Sequence, residues 1–269
     1  MVKKLLKYDL RAVFKYLLVI YAIVLGTAGL NRILQLFESK QVWYVISFRS
    51  SLILLIIGIA SMLLLTEILL VQRFYKNLFT NEGYLTFTLP ATIHEQLWSK
   101  IFCSVICIIA TVFVMFLAFL IATSGEVFTE VMKAVNYIFR QFLKGAGALN
   151  MTFYLIEGIV LFLLGAANAV MLFDTCLTIG QLAKKHRVGL AVAIFFIQYF
   201  VMQILGTVFI IIEATKDFEL FELIADAFEK NPETALHMTA IIAIAVSALL
   251  FLLYYFIMHR ILKKRLNLE

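Results

Sequence analysis

"ISFRSSLILLIIGIASMLLLTEILLV", Ile46 to Val71, is followed almost at once by "RFYKNLFTNEGYLTFTLPATIHEQLW", Arg73 to Trp98. The first stretch is long enough to cross a hydrocarbon core of about 30 Å as a helix rising about 1.5 Å per residue. The second is polar and aromatic, carries Gly83 and Pro90, and leads into another apolar run. A hydrocarbon-length helix, a structured polar turn and a second such helix make a helical membrane protein.

Working outward, the rest of the chain repeats the first kind of stretch. It has 269 residues, 63% hydrophobic and 15% charged, with a mean hydropathy of +0.99, whereas soluble domains are about 45–50% apolar. Six runs are long enough to span: Val13–Leu30, Ile46–Val71, Ile101–Ala122, Thr152–Ile179, Gly189–Ile212 and Met238–Met258. A β-barrel would instead need short segments of alternating polarity. The expected fold is an all-α integral membrane protein, a single transmembrane domain over 1–269.

Six spans put both termini on one side, and the cations choose the side. The set of segments holding the termini carries fifteen Lys and Arg, among them Lys3, Lys4, Lys7, Arg11, Lys15, Arg73, Lys76 and Lys100, against seven on the opposite set. Both termini are therefore expected in the cytoplasm. The net charge of +6 follows from this asymmetry and does not call for a nucleic-acid partner. A cleaved signal peptide is rejected, because losing the first span would place the basic C-terminus outside.

Three further segments read as amphipathic. Over residues 1–15 the five cations project to one side and Leu5, Leu6, Leu10 and Val13 to the other, the pattern of a helix lying in the membrane interface against anionic head groups. The outer connections 124–151 and 213–236 also alternate with helical period, Val127, Val131 and Phe142 in one, Phe218, Phe221 and Phe228 in the other. The second carries seven acids against Lys216 and Lys230, an ordinary solvated face or a vestibule attracting cations. Asn231, Pro232 and Glu233 form the start signal of the last helix.

Ionisable residues inside spans mark functional sites by default. Here they are Arg49, Glu67, Glu157 and Asp174, each about a turn from a span end, where side chains reach the interface. Arg49 and Glu157 match in depth and could pair, though simple interfacial placement fits them better. Cys103, Cys107 and Cys176 lie within spans as small apolar residues. The scattered histidines include His94 in "HEQLW", which lacks a second His, so no metal site is expected.

In the polar stretch, Arg73–Phe79 should continue the second span's helix, Thr80–Gly83 should end it with Gly83 at C′, and Pro90 should force a break. Thr92 and Glu95 make a capping box, so a new helix should begin at Ile93. Between the breaks, "YLTFTLP" has no second strand to pair with and reads as an apolar-aromatic plug held between helices, as a docking element would be.

"NEGYLTFTLPATIHEQLWSKI", with "FYKNL" before it, resembles the loop after the second span in permease subunits of type-two ATP-binding-cassette (ABC) transporters. Glu82, Gly83, Leu85, Leu89 and Pro90 match that pattern, and Tyr84, Thr86 and Phe87 fit its variants. The resemblance implies a cytoplasmic coupling loop over 72–100 whose short coupling helix docks on a separate ATPase subunit through Glu82, Gly83, Tyr84, Leu85, Phe87, Leu89 and Pro90. It further implies pairing with a second permease copy or paralogue, ATP and Mg bound by the ATPase, residence in a bacterial cytoplasmic membrane, and export. The apolar spans suit a hydrophobic or amphipathic cargo such as a drug, lipid or antimicrobial peptide. The chain has no G-x-x-x-x-G-K-[ST] stretch to cradle nucleotide phosphates, so it is expected not to be an enzyme itself. The competing reading is an ATP-independent secondary transporter or channel using Glu67, Glu157 and Asp174.

Overall fold

The computed structural model describes residues 1–37, 42–123, 129–130, 132–134, 136–137, 140, 148–183, 185–214 and 226–264. It is helical, and six of its helices are long and apolar enough to cross a membrane. In chain order these elements are α1 (Val2–Leu36), α2 (Val42–Phe79), α3 (Asn81–Thr88), α4 (Ile93–Ala122), α5 (Ala148–Gly180), α6 (Arg187–Ala214) and α7 (Pro232–Lys264); all but α3 are of spanning length. The chain is a multi-pass membrane protein.

The chain divides into two compact units, Met1–Asn77 with Phe87–Gln141, and Leu78–Thr86 with Phe142–Glu269. In the first, α1 packs on α4. The buried stripe of α1 is Asp9, Val13, Leu17, Tyr21, Val24, Ala28 and Asn31, steps of three and four that keep one face inward. On α4 the buried positions include Ser99, Cys103, Ser104, Cys107, Thr111, Ala118 and Ala122, small side chains that let membrane helices approach closely. Hydrogen bonds tie the group together at successive depths. Tyr21 Oη and Thr111 Oγ1 lie 2.7 Å apart, Thr66 of α2 joins Thr111 at 3.1 Å, Ser51 donates to Asn31 at 3.1 Å, and Gln35 donates to the Ala122 carbonyl at 2.7 Å. These pairs make α1 and α4 parallel and in register, with α2 antiparallel beside them.

The second unit has the same logic. Here α5 packs against α7 and α6, with Asn168 donating to the Ser247 carbonyl at 2.9 Å and Gln198 of α6 bridging Cys176 of α5 and Tyr254 of α7. Gly180 is where α5 and α6 come closest: a Cβ there would stand 2.7 Å from the Arg187 carbonyl oxygen and 2.8 Å from Ala191 Cβ. His186 turns the chain into α6 with φ of 56°.

Two sequence expectations change. The basic segment 1–15 is no separate helix; it is the first part of an unbroken α1, tied to α2 and α4 through Asp9, buried on its inner face. Gly83 does not end a helix. Helix α2 stops at Phe79, Thr80 bends, and Gly83 falls inside α3. The α7 start at Pro232 is as expected, as is the place of the three cysteines within long helices, where all are buried. Of the outer amphipathic segments, 226–230 is helical, as are 129–130, 132–134, 136–137 and 140; Val127, Val131, Val135, Ile138, Phe142, Phe218, Phe221 and Ile224 lie outside the described residues.

Candidate functional site

The turn between α2 and α4 is short, residues 80–92, because α2 and α4 both extend beyond hydrocarbon length. At about 1.5 Å per residue the 38 residues of α2 make about 57 Å, well over the core thickness of about 30 Å. Helix α3 fills the turn. The Gly83 amide donates to the Thr80 carbonyl at 2.7 Å, and the Thr86 hydroxyl bonds back to the Glu82 carbonyl at 2.9 Å. Leu89 and Pro90 then bend the chain. The expected capping box is present: Thr92 Oγ1 accepts from the Glu95 amide at 3.3 Å, while Glu95 Oε2 accepts from the Thr92 amide at 3.0 Å.

At 100° per residue, Asn81, Tyr84, Leu85 and Thr88 share one side of α3, and these four and Leu89, just past its end, are exposed. Leu85 is 72% exposed, Tyr84 and Leu89 48% each. Gly83 on the opposite side is buried, and Glu82, Thr86 and Phe87 are half-buried. Phe87 therefore does not join the apolar surface expected of Tyr84, Leu85, Phe87 and Leu89. It is half-buried on the flank of that side, one turn after Tyr84, and Pro90 is exposed beyond α3.

The ends of α1, α2 and α4 hold a cluster that residue-by-residue reading missed. Asp9 of α1 is 3% exposed. Its Oδ2 accepts from Lys100 Nζ of α4 at 2.7 Å and from Ser99 Oγ at 3.4 Å. Its Oδ1 accepts from Arg73 Nε of α2 at 3.1 Å and from Asn77 Nδ2 at 3.2 Å. One carboxylate thus takes two cations and two neutral donors, near the coordination that an ionised buried carboxylate needs. A signal existed: Asp9 is the single acid among the N-terminal cations and sits four residues before Val13, in register with the apolar stripe. Arg73 and Lys100 had been counted only as topological charges.

The four intramembrane charges lie on two helices, Arg49 and Glu67 on α2, Glu157 and Asp174 on α5. Arg49 is exposed on α2. Glu67 is half-buried, and its sealed Oε2 has no hydrogen-bond partner among the described residues. Asp174 is buried on α5. Glu157 is matched with His237 of α7, whose Nδ1 lies 2.9 and 3.0 Å from its two oxygens. The His237 ring stacks on Tyr154 with centroids 4.0 Å apart, and Tyr154 Oη donates to the Glu233 carbonyl at 3.1 Å. That partner of Glu157 was also unforeseen. Among the described residues no three His, Cys, Asp or Glu side chains gather as a metal site would require.

No family model, curated protein or solved structure matches the chain.

Proposed function

We propose that this chain is the membrane-spanning permease subunit of an ABC transporter, forming the translocation path while a separate ATPase subunit binds ATP and Mg. The observation that carries the reading is the exposed apolar surface of Tyr84 and Leu85 on α3 and of Leu89 just after it, in a short turn between two spans. Apolar surface in water costs about 25 cal/mol per Å², so such a face in an aqueous turn calls for a covering partner. The turn stands on the side richer in Lys and Arg, hence in the cytoplasm with both termini. Closure of an ATPase pair pushes α3, and the push tilts α2 and α4 against a second permease copy or paralogue, giving alternating access through a bistable element. The membrane is the bacterial cytoplasmic membrane, the direction export, and the cargo hydrophobic or amphipathic.

The test is purification of the tagged chain from its own host, with mass-spectrometric identification of what remains bound. An ATPase with a phosphate-binding loop that hydrolyses MgATP in the complex is expected, and no hydrolysis by the isolated chain. A chain that transports when no ATPase is present would support the ATP-independent reading instead, for which the sealed Oε2 of Glu67, without a hydrogen-bond partner among the described residues, is the supporting observation.

A further inference from the structure

We infer that Asp9 is a positioning residue: a single buried carboxylate that clamps both flanks of the α2–α4 turn to α1, so that the three helix ends move as one body. The inference rests for its functional half on the coupling reading above, and for its mechanical half on geometry alone.

Arg73 and Asn77 precede α3, Ser99 and Lys100 follow it, and all four donate to the two oxygens of Asp9. Each oxygen serves one flank: Oδ1 takes the α2 side, Oδ2 the α4 side. The flanks therefore cannot separate from each other, or from α1, without stripping donors from a carboxylate that is 3% exposed. Lys100, itself 8% exposed, has among the described residues no other carboxylate within ion-pair distance. Breaking such a pair leaves an uncompensated buried charge, which is far more costly than losing a surface bridge. The outward face of the same helix end carries Lys3, Lys4, Lys7 and Arg11, all exposed, whereas Asp9 and the Met1 ammonium, 3.3 Å from Glu95 of α4, face the neighbouring helices. Helix α1 thus becomes a third strut of the turn. A displacement of the turn would carry α1 with it, and the pull would reach the span through the Tyr21–Thr111 and Thr66–Thr111 bonds deeper in the same unit.

The experiment is hydrogen–deuterium exchange of the full chain in nanodiscs, without any partner, comparing the wild type with Asp9→Asn and with the swap Asp9→Lys/Lys100→Asp, and using Lys7→Gln as an exposed control. In Asp9→Asn, amides of residues 2–9, 73–79 and 93–100 are expected to exchange together, at least about 30-fold faster, while the α5 and α7 peptides stay unchanged and so report an intact fold. The swap, which rebuilds the pair to α4 but sets an ammonium against Arg73, should recover protection in residues 93–100 and leave 73–79 exchanging fast, and Lys7→Gln should match the wild type. Acceleration confined to residues 2–9, or none, overturns the clamp. The second arm uses the ATPase identified with the wild-type chain: Asp9→Asn should retain that subunit and lose cargo-stimulated hydrolysis by about tenfold or more. If the wild type retains no ATPase while the exchange pattern holds, the coupling reading fails and the clamp stands. If Asp9→Asn stimulates normally, the clamp plays no part in coupling.

Discussion

Removing either member of the Asp9–Lys100 pair should destabilise the chain unequally, and the inequality follows from who is left behind. In Asp9→Asn the Lys100 ammonium stays 8% exposed and loses the oxygen 2.7 Å from it. Breaking a buried pair in this way costs about 3–5 kcal/mol. In Lys100→Met the apolar replacement keeps the volume, and Asp9 retains Arg73, Asn77 and Ser99. What goes is one charge-assisted bond, about 1.5–3 kcal/mol. The double variant Asp9→Asn/Lys100→Met should then be more stable than Asp9→Asn alone by about 2 kcal/mol, because no ammonium remains buried. Unfolding in mixed micelles, followed by tryptophan fluorescence across a denaturant series, gives the three differences. Asp9→Asn within about 1 kcal/mol of the wild type, or a cycle additive to about 0.5 kcal/mol, would refute the reasoning.

Other sites give simpler expectations. Gly180→Ala should destabilise by about 1–3 kcal/mol, because its methyl meets the Arg187 carbonyl oxygen at 2.7 Å and backbone cannot turn aside; an unchanged melting midpoint would count against the close α5–α6 approach. Thr92→Ala should cost about 1 kcal/mol and raise amide exchange in the first turn of α4, since the Thr92–Glu95 capping box is lost; unaltered exchange there would contradict it. In sealed cells with the native cysteines removed, a Cys at position 222 should react with an impermeant maleimide and one at 185 should not, as the excess of cations on the terminal side requires; the opposite pattern would invert the topology.

What the sequence made legible was what repeats or caps. Six apolar runs became six long helices because hydrocarbon length is a property of composition alone. The Thr92–Glu95 box and Pro232 marked helix starts because their signals are local. Gly83 misled because the residues around it are compatible with either a helix end or a short new helix, and only the bend at Thr80 decides between them. The N-terminal segment misled for a different reason. Five cations on one face suit an interface-lying helix, but the opposite face carries Asp9, whose cost is met only by donors more than sixty residues away in the chain. His237 beside Glu157 is equally non-local. Phe87 was assigned to the exposed surface by composition, and its place on the flank of α3 leaves it half-buried.

The claim at the centre of this account is that the exposed side of α3 is covered by an ATPase subunit that drives the spans. It is tested most directly by measuring cargo-stimulated ATP hydrolysis in membranes reconstituted with the chain and its co-purified ATPase, for the wild type and for Leu85→Asp and Leu89→Asp. Each replaces an exposed leucine, so the fold should survive. Truncating or charging a central contact of an interface costs about 2 kcal/mol or more, which predicts retention of the ATPase weakened about 30-fold and stimulated turnover lost in both variants. Wild-type retention and turnover in both would contradict the account.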